Sequence, residues 1–276
     1  MTKLKAYRQG NVFGWIINDL LTADNGAVLS RPTEFLKNPV KIYKKETDKI
    51  TLLIEAPLKG LEKPKKPAVF WLIKASQIKP HLAEKLMLRW QYKRRLATIN
   101  RLLENRLPVP YFYAWLCEED GPDRSYLISE GFPDGYNLAL IVREKKQLFD
   151  QLVAQGLIVK MVEALADFHQ CGYSHGDMKW SNIVVLADKS FRFVDLDHVK
   201  KPMLGHRQRL YFKDLARFLI GAFEAGLDEK QLAEIVIKYA EFRSLNYNKI
   251  IKKIMPQINK ISLRKNIQQL SLRSNG

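Results

Sequence analysis

A chain of 276 residues that is 46% hydrophobic and 27% charged has the makeup of a globular protein, long enough for one large domain or two modest ones. Its 46 Lys and Arg against 29 Asp and Glu give a formal charge of +17, an excess that attracts nucleic acid, an anionic membrane surface or a phosphorylated glycolipid. Cys117 and Cys171 lie in no metal-ligand or CxxC spacing, which excludes a disulfide framework and fits a reducing compartment. No apolar run approaches the roughly 20 residues of a bilayer span. The opening MTKLKAYRQGN lacks the apolar core of a signal peptide, so a cytosolic protein is expected, one able to sit on a membrane face.

Along the chain, residues 1–36 mix turn signals with short apolar stretches and receive no assignment beyond an N-terminal extension. Residues 40–43, 50–55 and 68–74 read as three strands, joined by KKETD and by the basic, Pro-rich PLKGLEKPKKP. A helical pattern runs from Leu82 to about Asn105, with Leu86, Trp90, Leu96, Ile99 and Leu103 among its apolar positions, and Pro108 and Pro110 stop it. Residues 111–116 and 125–129 return to strand. After the turn-rich GFPDGYN, residues 147–170 carry a helical stripe that Gly172 is placed to end. Short strands follow at 183–186 and 191–194, then helices at 211–223 and 232–242, the second with Asp228 and Gln231 as a capping pair. Beyond Glu241 there is no acidic residue. Ile250, Ile251, Ile254, Ile258 and Ile261 are interleaved there with Lys and Arg, and Pro256 predicts two short amphipathic pieces. Those isoleucines either meet a membrane or pack on the C-terminal half beneath solvated lysines.

The chemistry concentrates in YSHGDMKWSNIVVLADKSFRFVDLDHVK, residues 173–200. It combines H-x-D-x-K-x-x-N, at His175, Asp177, Lys179 and Asn182, with a D-x-D that begins at Asp195. Phosphoryl transfer accounts for each residue type. A carboxylate must orient the attacking hydroxyl and accept its proton, the part for Asp177. A fixed cation must stand beside the transferring phosphoryl, the part for Lys179. Magnesium bridging the ATP phosphates demands hard oxygen ligands, which Asn182 and Asp195 supply, with Asp197 as the fallback. A surface Asp/Asn turn ahead of an unrelated hairpin is the plain alternative.

These residues resemble the catalytic and metal-binding loops of the protein kinase superfamily, H-R-D-x-x-x-x-N followed by D-F-G. The resemblance implies an α+β, bilobal protein-kinase-like fold: a small β-rich N-lobe with one long helix over residues 37–134, and a larger, mainly helical C-lobe over 135–276 that ends in a basic tail at 243–276. It implies ATP and Mg2+ as cofactors. Lys74 looks like the strand lysine that grips the α- and β-phosphates, and Glu130, in LISE, looks like part of the hinge strand that meets adenine. Asp214 resembles the helix-borne aspartate that braces the catalytic loop. There are departures: Gly176 stands where that pattern has arginine, no glycine follows the D-x-D hydrophobe, and YKKETDK contains no glycine. Arg95 occupies the position expected for the glutamate partner of Lys74, and Glu84 lies about three turns earlier.

The helix leading into LPVP, then LISEGFPDGYNL, HGDMKWSNIVV and VDLDHVK, is similar to the bacterial lipopolysaccharide core (Kdo/heptose) kinase family, from roughly Lys74 to Phe218. That resemblance implies a kinase that phosphorylates an inner-core sugar of a lipid A-anchored glycolipid. It would work at the cytoplasmic face of a Gram-negative inner membrane, with the anionic membrane surface and no nucleic acid as partner. The short segment between Asp197 and Asp214 leaves little room for a peptide platform. Competing readings are a small-molecule phosphotransferase of the aminoglycoside or choline kinase type, against which Lys179 counts, an atypical protein kinase, and a pseudokinase scaffold.

Overall fold

The computed structural model describes residues 4–17, 29–56, 70–77, 82–118 and 124–265. The chain is mixed α+β and divides into two compact units, Met1–Glu104 with Pro110–Pro133 and Asn105–Val109 with Asp134–Gly276. The basic loop PLKGLEKPKKP, the side chains of Glu84, Arg264 and Lys265, and Arg273 of the tail lie outside what is described.

The first unit is built on an antiparallel sheet. Its strands are β1 (Leu4–Gln9), β2 (Val12–Ile17), β3 (Lys41–Lys45), β4 (Lys49–Glu55), β5 (Phe70–Gln77), β6 (Phe112–Glu118) and β7 (Arg124–Glu130), in the spatial order β1-β2-β6-β7-β5-β4-β3. Strand β5 alternates, with Trp71, Ile73 and Ala75 buried and the residues between them half-buried, as a period of two demands. Trp71 sits edge-on to Phe35 at 5.8 Å and shares its core with Leu52, Tyr126 and Ile128. Strand β3 is exposed along its length, and its lysines protect an open sheet edge from pairing with other chains. Helix α1 (Leu82–Glu104) buries Leu96, Ile99 and Leu102, and Tyr92 stacks on Trp115 at 4.8 Å. Trp90, expected on the apolar face, is instead 57% exposed under the guanidinium of Arg94.

In the second unit, helices α2 (Leu138–Glu144), α3 (Lys146–Ala154) and α4 (Leu157–Gln170) precede a three-stranded sheet of β8 (Tyr136–Asn137), β9 (Ile183–Val185) and β10 (Phe191–Phe193). The stripe expected as one helix is broken between α3 and α4, because Gly156 takes a left-handed φ of 77° that ends one helix and starts the next. The apolar period survives because Phe149 and Leu152 of α3 and Met161 and Leu165 of α4 are all buried. Helices α5 (Arg207–Glu224), α6 (Glu229–Arg243) and α7 (Tyr247–Lys265) complete the unit. The expected capping pair of α6 forms in both directions, Asp228 with the Gln231 N–H at 2.8 Å and the Gln231 side chain with the Asp228 N–H at 2.9 Å.

The tail corrects the expectation of two pieces: α7 runs through Pro256 as a single helix. Pro256 is exposed, as is Lys252, whose carbonyl loses its helical partner to the proline; water on that face can replace it. Ile250, Ile251, Ile254 and Ile258 are buried, and α7 packs on α5 and α6. The apolar face of the tail is therefore core.

Candidate active site

The catalytic-loop candidates are fixed from both ends by local geometry. Helix α4 closes with a Schellman arrangement: Tyr173 N–H donates to Phe168 O at 3.2 Å and Gly172 N–H to His169 O at 3.1 Å, with Gly172 at φ 87°. The chain then pairs Ser174 with Lys200 through two backbone hydrogen bonds of 2.9 and 3.1 Å. Beyond it, Met178 and Trp180 are fully or nearly buried while Lys179 between them points out, so the loop is pinned by alternate side chains. Trp180 lies between Phe149 and Phe218 and directly against Gly221. A Cβ at Gly221 would come within 2.4 Å of the indole, so only glycine lets the loop seat there.

Asp214 holds the loop from beneath. It is fully buried on α5, and its two carboxylate oxygens accept the His175 N–H at 2.8 Å and the Gly176 N–H at 3.0 Å. One oxygen also lies 3.4 Å from Nε2 of His169, whose Nδ1 is 2.7 Å from the Tyr239 hydroxyl and whose ring stacks on Tyr211 at 4.5 Å. The side chain of His175 is buried, with Nε2 3.1 Å from Val194 O. Burial pushes the imidazoles of His169 and His175 down, with Asp214 opposing the shift in both.

Gly176, which stands where the kinase pattern has arginine, is required by this geometry. Its φ is 84°, and a Cβ would lie 2.7 Å from His198 O. Any side chain here would be strained and would strike the segment after the D-x-D. A guanidinium is present all the same, supplied from α5: Arg217 donates to Gly176 O and its Nη1 is 3.5 Å from Asp177 Oδ1. Sequence reading missed Arg217. The available signal was its spacing of three from Asp214, which puts both on one helical face.

Asp177 carries 22% side-chain exposure and is held by three groups. Lys179 Nζ is 3.0 Å from Oδ2, Arg217 approaches Oδ1, and Asn182 Nδ2 donates to Oδ2 at 3.1 Å and to the Asp177 carbonyl at 2.9 Å. Burial raises the Asp177 carboxyl, but Lys179, Arg217 and Asn182 outweigh it and hold it below the usual aspartate value. Because Nδ2 of Asn182 is committed to Asp177, its Oδ1 remains as an acceptor. Val194 N–H donates to Asn182 O at 2.9 Å, which ties Asn182 to the residue before Asp195. Asp195 is half-buried in the left-handed region, φ 60° and ψ 54°, a conformation aspartate tolerates better than most residues. Asp197 is exposed in the single 3-10 turn that follows. An amide oxygen and a carboxylate, both hard donors, form a set that fits a magnesium ion keeping most of its waters.

The remaining candidates lie in the first unit. Lys74 is half-buried on β5, opposite Thr51 of β4 and Leu127 of β7. Arg95 is on α1 with its guanidinium over the Tyr92 ring, so that helix position carries a cation and not the carboxylate the pattern would pair with Lys74. Glu130 ends β7. Its N–H donates to Tyr111 O at 2.7 Å and its Oε2 accepts the Tyr111 N–H at 3.1 Å, which commits that backbone N–H within the unit.

Residues 78–239 match the model of the lipopolysaccharide kinase (Kdo/WaaP) family. Over 133 residues the chain is 24% identical to a probable serine/threonine-protein kinase, fnkE, of Dictyostelium discoideum; the match covers 45% of this chain and 10% of that protein. The chain thus spans about a tenth of that relative's length. The family match extends over more than half of the chain and takes in the whole of the Asp177 loop, the D-x-D and Asp214. By that match the chain belongs to the lipopolysaccharide kinase (Kdo/WaaP) family, a family of phosphotransferases.

Proposed function

We propose that this protein transfers the γ-phosphoryl group of ATP to a sugar hydroxyl, of heptose or Kdo, in the lipopolysaccharide inner core. The observation that carries the reading is the setting of Asp177: a partly exposed carboxylate gripped by Lys179, Arg217 and Asn182, on a loop whose amides are held by buried Asp214. Asp177 accepts a hydrogen bond from the acceptor hydroxyl and aims its oxygen at phosphorus. As the new P–O bond forms and the bond to ADP breaks, the hydroxyl proton passes to the carboxylate. A carboxylate held below its usual pKa is a weak base, so its main service is orientation, with proton transfer late. That suits a loose transition state in which little charge develops on the attacking oxygen.

Lys179 is half-exposed beside Asp177 and is the cation assigned to the transferring phosphoryl. Asn182 and Asp195 would hold magnesium, which when bound neutralises charge on the ATP phosphates. From the first unit, Lys74 is assigned to the α- and β-phosphates and the β7 end at Glu130 to the adenine. No helix among the described residues is long and apolar enough to cross a membrane. Met203 and Leu204 are each 80% exposed, next to Lys200 and Lys201. An apolar pair beside cations suits peripheral attachment to an anionic leaflet, and the kinship with lipopolysaccharide kinases supports a site of action at the cytoplasmic face of the inner membrane.

The test is transfer from labelled ATP to purified lipid A–core by the full chain and by Asp177→Asn. The wild type labels the glycolipid, and the variant loses about 100- to 10,000-fold in turnover while binding ATP normally. Near wild-type transfer by the variant would remove Asp177 from its role.

A further inference from the structure

The +17 charge is not spread evenly. In the second unit, a cavity of about 500 Å³ lies between the segment after Asp197 and helices α5 and α7. Among the described residues its lining carries Lys200, Lys201, Arg209, Lys213, Arg217 and Lys260, and no carboxylate. Such convergence costs free energy in the unliganded protein, because like charges repel across a space that is partly shielded from water. Lys213 registers that cost: burial lowers its ammonium pKa, and Arg217, Lys200 and Arg209 lower it further against the opposing pull of Asp214. A protein keeps such an arrangement most economically if an anion fills it.

Its position relates it to the catalytic loop. A second cavity of about 370 Å³ shares Lys200, Leu210 and Lys213 with the first and reaches Gly176, Asp197 and Asp214. Arg217 joins the two regions directly, since it lines the cationic cavity while donating to Gly176 O and approaching Asp177. The lining of the cationic cavity includes neither of the proposed metal ligands, Asn182 and Asp195. The tail contributes as well: Lys260 on α7 forms part of the wall, which gives part of the basic C-terminal segment a place in the site.

Resting on the kinase reading above, we infer that this cavity is the anion subsite of the acceptor. It holds a phosphomonoester or carboxylate that the substrate already carries, while the hydroxyl to be phosphorylated lies at Asp177. The volume falls within the roughly 300–1,000 Å³ of small-ligand sites and accommodates a sugar with a charged substituent. A single-stranded nucleic acid would call for a groove with aromatic platforms, and the described lining holds no aromatic ring besides His206. On this inference, the class of reaction that supplies the substrate must already have placed an anionic group on it.

The experiment is calorimetric titration of the full chain with glucose 6-phosphate, glucuronate and glucose, under saturating ADP and magnesium to block the nucleotide site. At least one of the two anionic sugars binds tenfold or more tightly than glucose, and which one does so identifies the group recognised. The double variant Arg209→Gln, Lys260→Gln loses that preference; both side chains are exposed, so the fold is retained, and Arg209→Lys with Lys260→Arg restores it. With lipid A–core as acceptor, the Gln variant raises KM for the acceptor about tenfold and leaves kcat and KM for ATP unchanged. Anionic sugars that bind no better than glucose, or equally well to the Gln variant, overturn the subsite. Selective sugar-phosphate binding without any transfer to the glycolipid supports the subsite and removes the lipopolysaccharide reading instead.

Discussion

Asp214→Asn tests the part of the site that is built from within. In the native chain both carboxylate oxygens are used, one by the His175 N–H at 2.8 Å and the other by the Gly176 N–H at 3.0 Å, and the side chain is fully buried. Asparagine has the same shape but one acceptor. Whichever way the amide turns, its NH2 faces a backbone N–H that has no water to replace the lost partner. A hydrogen bond to a charged group is worth about 1.5–3 kcal/mol, and a stranded buried donor costs about 1–3 kcal/mol more. These terms overlap, so about 3–5 kcal/mol is a fair total, in line with the loss seen when a buried charged partner is removed. At about 2–4 °C per kcal/mol for a domain of this size, Tm falls on the order of 10 °C. Because the two amides flank the entry to Asp177, displacement of the loop by even 1 Å lowers kcat about 100-fold below the melting range. Differential scanning calorimetry and steady-state kinetics at 20 °C give both numbers. A variant that melts within about 2 °C of wild type and turns over normally would refute the reasoning, because the carboxylate would then be bracing nothing.

Asp195→Ala abolishes magnesium-dependent ATP binding in calorimetric titration, whereas Asn182→Ala weakens it less, since a full charge is lost in the first and a dipole in the second; unchanged affinity in the Asp195 variant would contradict the ligand assignment. Stability falls as pH drops below about 6.5. The unfolded chain protonates its histidines there, while burial lowers the folded pKa of His169 and His175, so unfolding takes up protons. Urea midpoints measured between pH 8 and 5 check the sign, and His169→Gln flattens the slope. Removing residues 247–276 deletes Ile250, Ile251, Ile254 and Ile258 from the core. At about 1.5–3 kcal/mol each, that burial rivals the whole stability of a domain, so the truncated protein is protease-sensitive and aggregates. A soluble, cooperative truncation would show that α7 is peripheral.

The site was legible where its chemistry is local. Asp177 and Asn182 are five residues apart, and their hydrogen bond closes within one loop, so spacing alone carries the relation. Asp214 was readable by likeness, but its function depends on two backbone amides nearly forty residues earlier in the chain, which no local pattern encodes. Arg217 was hidden for the same reason, since it reaches Gly176 O and Asp177 from α5, while the glycine itself is set by its positive φ and the closeness of His198 O. Two of the departures of the fold from the sequence pattern, at Pro256 and Gly156, have specific causes. A proline interrupts a helix where the carbonyl four residues back cannot reach water, and Pro256 sits on the solvent side. The break at Gly156 was masked by an apolar stripe that continues across it. The β1–β2 hairpin had a usable signal: Gly10–Asn11 forms the two-residue turn between Gln9 and Val12, with Gly10 at φ 58°.

The central claim is that this chain adds one phosphoryl group to the lipopolysaccharide core through Asp177. Mass spectrometry of lipid A–core from cells that carry the gene, lack it, or carry only Asp177→Asn tests it most directly. The account predicts a core heavier by about 80 Da, one phosphoryl group, only in cells with the wild-type gene. Identical core masses in all three strains would contradict it.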